Sequence, residues 1–386
     1  MYFTLRSGIL ESAVIPRART IGITFQGFTG KENAITDVPG VEVGYRTLII
    51  GDSVRTGVSA ILPRGREKVG LACAAGIHSF NGNGEMTGAL WIEEAGALST
   101  PIMITNTHAV GTIHRGVIEW VNKHHPRLTA QWLLPVVAET WDGYLNDING
   151  PHIKTEHAAE AIDCAKGGAV AEGSIGGGTG MNCYGFKGGN GTSSRVVSYG
   201  PDEYIVGAFI QANFGSRQEL SICGVLMSDI DLPDPLDKTD WFIQDQGEGK
   251  TPPGAGSAIV VIATNAPLLP AQCKALAKRA SLGLARTGTA GSHFSGDIFI
   301  AFSTANEGSL NSTFPTSETT SGDYDQMRFV PWGRMDSFYT ATVQAVEEAV
   351  VNALIANRDM EGRKGHKSYA LPHDQVIARL NKKMKA

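Results

Sequence analysis

The chain has 386 residues, of which 42% are hydrophobic and 18% charged, a composition that supports a packed core and excludes an intrinsically disordered chain. The formal net charge of −5 gives no electrostatic reason to expect a nucleic-acid partner or an anionic membrane. No apolar stretch reaches the ~20 residues of a membrane-spanning helix. We therefore expect a cytoplasmic protein, or a periplasmic one if a signal peptide preceded residue 1.

Secondary structure is predicted from the spacing of apolar residues. Runs rich in β-branched residues predict strands at 41–45, 102–105, 204–210, 258–263 and 297–303. Apolar residues at helical spacing predict helices at 117–124, from Pro270 onwards, and at 338–355. Strands and helices alternate unevenly, so the fold class is α/β or α+β, with helices covering sheets.

One segment, 231–256, has the composition of a flexible tether. It opens D-L-P-D-P-L-D and ends Q-G-E-G-K-T-P-P-G-A-G, which is typical of surface linkers and cleavage sites. The G-K-T at 249–251 resembles the end of a phosphate loop. However, Gln244 stands where that loop needs its first glycine, and Pro252 and Pro253 follow in place of a helix. We therefore expect no nucleotide cofactor.

Two common catalytic arrangements are missing from the sequence. There is no G-x-S-x-G, as a serine hydrolase with a nucleophile elbow would need. The ten histidines include no H-E-x-x-H, and the five cysteines no C-x-x-C. We therefore expect neither a metal nor another cofactor. The 47 glycines cluster in short groups, which indicates tight turns and close backbone approaches around a site.

Ser257 stands between the tether and the predicted strand 258–263. As a structural residue it would simply begin the strand. As a functional residue it would be an N-terminal nucleophile, freed by cleavage of the Gly256–Ser257 bond. An unperturbed α-amine has a pKa of about 7.7–8.0, so it can serve as the base for the neighbouring hydroxyl. One residue would then supply both nucleophile and base.

Three further groups of residues fit such a site. Ser295 and Asp297 alternate with a glycine, so both point to one side of a strand and suit a proton relay. Asn213 follows a strand and suits an oxyanion donor. The segment 138–150 groups Glu139 with aromatic residues, an arrangement that suits a ligand ammonium group. The alternatives are turn residues for the first two groups and a solvated helix end for the third.

Seven segments together resemble the L-aminopeptidase/D-amidase-esterase family, peptidase family S58, which includes the β-peptidyl aminopeptidases. The resemblance covers roughly residues 17 to 380. The segments are N-A-I-T-D-V-P-G-V-E-V-G (33–44), F-N-G-N-G-E-M-T-G (80–88), P-I-M-I-T-N-T-H (101–108), A-E-T-W-D-G-Y-L-N-D-I-N-G (138–150), I-V-V-I-A-T-N-A-P-L-L-P (259–270), L-G-L-A-R-T-G (282–288) and S-G-D-I-F-I-A-F-S-T-A-N (295–306).

The resemblance implies a fold and a maturation step. The fold is an αββα four-layer sandwich like that of N-terminal-nucleophile hydrolases, with different connectivity. A single αββα domain, 1–386, would cut itself into an α chain, 1–256, and a β chain, 257–386, and assemble as a tetramer of αβ units. The implied activity is that of an aminopeptidase on short peptides, amides or esters. The alternatives are an acyltransferase of the ornithine acetyltransferase type and an uncleaved ligand-binding protein.

The resemblance also implies a role for each candidate residue. Ser257 matches the nucleophile, Ser295 and Asp297 the accessory hydroxyl and acid, and Asn213 the oxyanion donor. Glu139 matches the acid that binds the substrate amine, with Trp141 and Tyr144 as further substrate-binding residues. Some members have tyrosine at the position of Trp141, where its hydroxyl assists the oxyanion hole. An indole N–H is a donor in a different place, so this contribution is not carried over.

Overall fold

Two β-sheets lie at the centre of the fold, in a computed structural model that describes residues 15–234, 236, 245, 254–315 and 317–384. The first sheet has four strands in the order β1-β2-β5-β6, and the second has six in the order β4-β3-β14-β13-β10-β9. The strands are β1 (Glu42–Ile50), β2 (Val54–Leu62), β3 (Cys73–Ser79), β4 (Ala97–Leu98), β5 (Ile102–Asn106), β6 (Val136–Thr140), β7 (Asn182–Cys183), β8 (Phe186–Lys187), β9 (Gly189–Tyr199), β10 (Asp202–Asn213), β11 (Ser221–Ile222), β12 (Val225–Leu226), β13 (Gly256–Thr264), β14 (Ser295–Ser303), β15 (Met360–Glu361) and β16 (Lys367–Ser368).

Helices cover the outer face of each sheet. They are α1 (Ala89–Ala95), α2 (Val110–His124), α3 (Glu156–Asp163), α4 (Pro270–Arg286), α5 (Asp336–Ile355) and α6 (His373–Met384). Helices α2 and α3 pack on the four-stranded sheet, and α4 and α5 on the six-stranded sheet. The order of layers is therefore helices, sheet, sheet, helices, which is the αββα sandwich expected from the sequence.

Three apolar layers hold the sandwich together. Between the sheets, side chains such as Ile104, Phe209 and Ile300 form one buried cluster. A second cluster lies between the six-stranded sheet and α4 and α5, and a third between the four-stranded sheet and α2 and α3. Strand β13 is covered on both faces, which is why it reads as a continuous apolar run rather than an alternating one.

The topology brings three chain segments to one edge of the six-stranded sheet. Strand β13 runs parallel to β14, and α4 connects the two. Parallel strands place their first residues at the same edge, so Gly256 lies beside Ser295 and Ser257 beside Gly296. Strand β10 runs antiparallel to β13, so it ends where β13 begins, with Asn213 directly opposite Ser257.

The predicted elements are present, with extended bounds. All five predicted strands form, and the predicted helices correspond to α2, α4 and α5. The predicted tether, 231–256, lies outside the described residues except for 231–234, 236, 245 and 254–256. Within the part of the chain that the structure describes, no helix is both long and apolar enough to cross a bilayer.

Candidate active site

Ser257 lies inside a strand rather than at its boundary. Strand β13 begins at Gly256, two residues earlier than predicted, and Ser257 is flanked by Asn213 of β10 and Gly296 of β14. The Ser257 side chain belongs to the face that looks between the sheets, because Ile259 and Val261 of the same parity lie in the cluster there. Any terminus created at Ser257 is thus held between two neighbouring strands.

A cavity of about 430 Å³ opens at this edge of the sheet. Six of the predicted site residues line it: Gly256, Ser257, Asn213, Glu139, Trp141 and Tyr144. They come from β13, the end of β10 and the segment that starts in β6. The fold therefore brings together residues that lie up to 118 positions apart in the chain (139 to 257).

Hydrogen-bond donors surround the Ser257 hydroxyl. The Trp141 main-chain N–H donates to Ser257 Oγ at 3.3 Å. Asn213 accepts the Asn182 N–H on Oδ1 at 2.9 Å and donates from Nδ2 to the Trp141 carbonyl at 2.9 Å. These two bonds fix which end of the amide faces the site. An amide nitrogen has two N–H donors, so one remains for a developing oxyanion.

Glu139 is a buried carboxylate in the cavity wall. It belongs to β6 and is 2% exposed, so the alternative of a solvated helix end is wrong. Its oxygens accept hydrogen bonds from the Thr107 hydroxyl and from the Glu85 main-chain N–H, the latter at 3.0 Å. Burial raises the pKa of Glu139, and these hydrogen bonds offset part of that effect. A buried carboxylate in a cavity is suited to pairing with a cation.

Trp141 and Tyr144 form part of the cavity wall. A side chain at Gly143 would place its Cβ 2.3 Å from the Trp141 ring, so the ring needs the glycine there. The Tyr144 ring stacks on His366 with centroids 4.6 Å apart, and its hydroxyl donates to the Lys367 carbonyl at 3.3 Å. Burial raises the pKa of Tyr144 to about 12, so the phenol is neutral.

Ser295 and Asp297 lie together but on the other face of the sheet. The Ser295 hydroxyl donates to Asp297 Oδ1 at 2.6 Å, as their alternation predicts. Neither is among the described residues that line the cavity. Burial raises the pKa of Asp297, while hydrogen bonds from Ser295, Asn81 and the Ala258 main-chain N–H lower it. Asp297 is the register partner of Ala258, one residue after Ser257.

Comparison with known proteins identifies the family of this chain. The model of peptidase family S58 matches residues 33–368. The chain belongs to this family. The family resemblance inferred from the sequence is therefore confirmed, and with it the assignment as an aminopeptidase, a hydrolase. Neither the acyltransferase nor the uncleaved binding protein finds support in these comparisons.

Individual relatives of this S58 chain are similar along their whole length. It is 45% identical over 383 residues to the β-peptidyl aminopeptidase BapA of Sphingosinicella microcystinivorans, covering 96% of this chain and 93% of the relative. It is 42% identical over 376 residues to BapA of Sphingosinicella xenopeptidilytica, covering 95% and 91%.

Solved structures confirm the fold. The L-aminopeptidase D-Ala-esterase/amidase of Ochrobactrum anthropi, described as a new variant of the Ntn hydrolase fold, has a TM-score of 0.85 and 43% identity and covers 95% of this chain and 99% of its own. A Burkholderia β-aminopeptidase has a TM-score of 0.85 and 41% identity with the same coverage.

Sequence reasoning missed several residues of the S58 site. Thr107 and the Glu85 N–H hold Glu139, and Asn81 donates to Asp297 Oδ2 at 3.0 Å. All three lie in segments that carry the family resemblance, 80–88 and 101–108, and this was the one available signal. The main-chain N–H of Trp141 carries no signal in the sequence, because every non-proline residue has one.

Proposed function

We propose that this chain is a self-processing aminopeptidase whose nucleophile is Ser257. It splits between Gly256 and Ser257 into chains 1–256 and 257–386. The mature enzyme then releases N-terminal residues from short peptides, amides or esters. Two observations support this proposal: the Ser257 hydroxyl faces a cavity that also contains the buried Glu139 carboxylate, and the relatives are aminopeptidases.

The chemical step begins at the freed terminus. The Ser257 α-amine takes the hydroxyl proton, and Oγ attacks the substrate carbonyl. The oxygen of the tetrahedral intermediate accepts hydrogen bonds from the Trp141 N–H and from Asn213 Nδ2, each worth on the order of 10²–10³ in rate. The amine leaves with a proton from the Ser257 ammonium. Water then hydrolyses the acyl-enzyme by the same route in reverse.

Glu139 makes the enzyme an exopeptidase. Its buried carboxylate pairs with the substrate's main-chain terminal ammonium group, which only the first residue of a peptide carries. The cavity of about 430 Å³ has room for one aminoacyl group and part of the leaving group. The pairing does not depend on the configuration at the substrate's α-carbon. We therefore include L-aminoacyl, D-aminoacyl and β-aminoacyl substrates.

The Ser295–Asp297 pair acts on the Ser257 α-amine from the face of the sheet opposite the Ser257 hydroxyl. The nitrogen of Ser257 lies in the plane of the sheet and is open to groups on both faces. The Ser295–Asp297 pair lies on the face opposite the hydroxyl, and Asp297 is the β14 register partner of Ala258, the residue after Ser257. From there the pair orients the amine, which takes the hydroxyl proton and passes it to the leaving group.

Mass spectrometry of the purified protein tests the proposal. Two chains split before Ser257 are expected from the wild type, whereas Ser257→Ala stays one inactive chain. An intact wild-type chain that hydrolyses aminoacyl p-nitroanilides would contradict the mechanism. Transfer of an acetyl group from acetylornithine without peptide hydrolysis would favour the acyltransferase instead. One uncleaved chain that sulfonyl fluorides do not label would favour the binding protein.

Substrate preference and assembly need separate measurements. A panel of L-, D- and β-aminoacyl p-nitroanilides on the processed enzyme ranks the three substrate classes. Light scattering on the same sample tests the expected tetramer of αβ units.

A further inference from the structure

Lys187, which the mechanism above does not use, is completely buried behind the site. It is 0% exposed, at the end of β8. Its Nζ donates to two main-chain carbonyls, those of Met181 and Gly188, each at 2.8 Å. Lysine is almost never fully buried in proteins, because the removal of its amine from water is costly unless it is well bonded. A fully buried lysine at this position therefore calls for a structural or functional explanation.

A short series of hydrogen bonds leads from Lys187 to the candidate oxyanion donor. The Met181 carbonyl that Lys187 binds and the Asn182 N–H belong to the same peptide group. That N–H donates to Asn213 Oδ1 at 2.9 Å, and the other end of the Asn213 amide faces the Trp141 carbonyl beside Ser257. Two polar groups, the 181–182 peptide and the Asn213 side-chain amide, thus connect Lys187 to the Trp141 carbonyl beside the nucleophile.

We propose that Lys187 is a positioning residue for the oxyanion hole, acting through the 181–182 peptide group on the side-chain amide of Asn213. The lysine holds the peptide so that its N–H points at Asn213 Oδ1, and this turns Nδ2 toward the site. A rotated amide would present an acceptor to the oxyanion and repel it. This proposal rests on the role proposed above for Asn213.

Hydrogen bonding in series also makes each donor stronger. When the carbonyl of a peptide group accepts a hydrogen bond, the N–H of the same group becomes more polarised and a stronger donor. This cooperative effect strengthens each hydrogen bond by about 10–30%. Here a lysine on the Met181 carbonyl strengthens the Asn182 N–H, which in turn polarises the Asn213 amide. Burial lowers the pKa of Lys187 to about 7, and both its charged and its neutral form carry the two N–H donors that the carbonyls require.

The hairpin of β7 and β8 has a second anchor that does not reach this peptide group. The Ser368 hydroxyl, also buried, donates to the side-chain Oδ1 of Asn182. Both Ser368 and Lys187 hold the same hairpin, but Lys187 alone of the two binds the peptide whose N–H contacts Asn213. Ser368→Ala is therefore a matched control for general loosening of the hairpin.

A double-mutant cycle on the processed enzyme tests the proposal. Lys187→Met is expected to lower kcat about tenfold, the equivalent of one hydrogen bond, with KM within about twofold. In an Asn213→Ala background the same substitution is expected to change kcat by less than about twofold, because the group it acts through is gone. Ser368→Ala is expected to lower the melting temperature and to have the same effect on kcat in both backgrounds.

Each outcome decides the question. An equal effect of Lys187→Met with and without Asn213 would overturn the positioning role, while a loss of activity in Asn213→Ala would still support Asn213 itself. Unchanged kcat in Asn213→Ala would overturn both. If Lys187→Met does not accumulate, Lys187→Gln replaces it, with a smaller loss that again vanishes in Asn213→Ala. Where a variant splits only slowly, the rate of chain splitting replaces kcat in the same cycle.

Discussion

The substitution Glu139→Gln separates the charge of this residue from its shape. Glutamine has the same size, and it can keep both present contacts of the carboxylate. Its oxygen accepts the Glu85 main-chain N–H, and its nitrogen donates to the Thr107 hydroxyl, which today donates to Glu139. The cavity wall should therefore stay in place, and the protein should process itself normally. What is lost is the negative charge that faces the substrate's ammonium group.

The size of the effect follows from the burial of the pair. Glu139 is 2% exposed, so the bound ammonium has little water to replace its lost partner. Removal of one partner of a buried, hydrogen-bonded charge pair costs about 2–5 kcal/mol. That range corresponds to a fall in kcat/KM of about 30-fold to about 5,000-fold for a substrate with a free amine.

The assay compares two substrates that differ at this amine. Alanyl p-nitroanilide carries the ammonium, and propionyl p-nitroanilide has a hydrogen in its place. The wild type should strongly prefer the first, and Glu139→Gln should lose that preference while its activity on the second stays similar. Glu85→Gln is the matched control, since this carboxylate lines the same cavity but is exposed, where charge pairs are worth about 1 kcal/mol or less. A Glu139→Gln enzyme that still selects the free amine would refute the assigned role.

The same pair of substrates reports the pKa of Glu139. Burial raises this pKa above the usual value, so the carboxylate becomes protonated at a higher pH than an exposed glutamate does. The charged form binds ammonium, so kcat/KM for the alanyl substrate should fall more steeply with decreasing pH than kcat/KM for the propionyl substrate. Glu139→Gln should make the two profiles parallel.

Three further substitutions test other parts of the site. Asp297→Asn should process slowly and lower kcat by about 10²–10⁴, measured with the alanyl substrate, because it removes the carboxylate that orients the α-amine, the proposed general base. Gly256→Ala should block chain splitting on denaturing gels, since its Cβ would lie 1.9 Å from the Asn213 carbonyl oxygen, whereas Ala255→Gly should split normally. Trp141→Phe keeps the main-chain N–H at Ser257. It should therefore change KM across the substrate panel while kcat stays within about fivefold. Loss of an oxyanion donor would instead lower kcat by about 10²–10³.

Local patterns predicted the secondary structure and the shared orientation of two candidate residues. Apolar spacing located β13, β14, α4 and α5, and alternation placed Ser295 and Asp297 on one side of a strand, where they form a hydrogen bond of 2.6 Å. The same alternation did not reveal that this side is opposite the Ser257 hydroxyl. The relative orientation of these side chains depends on the register of β13 against β14. When a helix separates two strands along the chain, the sequence of either strand alone does not determine their register.

The role of Trp141 shows a second limit. The sequence drew attention to its indole ring, because aromatic side chains are visible in the sequence and suit a ligand ammonium. In the structure the contact to Ser257 comes from the Trp141 main chain. The Lys187 network has the same character, since a peptide group links the lysine to Asn213. The function of a main-chain donor depends on where the fold places it, so the sequence alone does not reveal it.

The glycine positions in the sequence did indicate where two main-chain segments approach each other closely. The glycine-rich end of the predicted tether 231–256 stops at Gly256, beside the nucleophile, and Gly296 is the β14 partner of Ser257. A Cβ on Gly296 would lie 2.3 Å from the Asn83 carbonyl oxygen, and one on Gly256 would lie 1.9 Å from that of Asn213. Ser257 is therefore enclosed by main chain on two sides. A site that uses main-chain N–H groups and a main-chain amine requires such close packing, and this accounts for glycine at both positions.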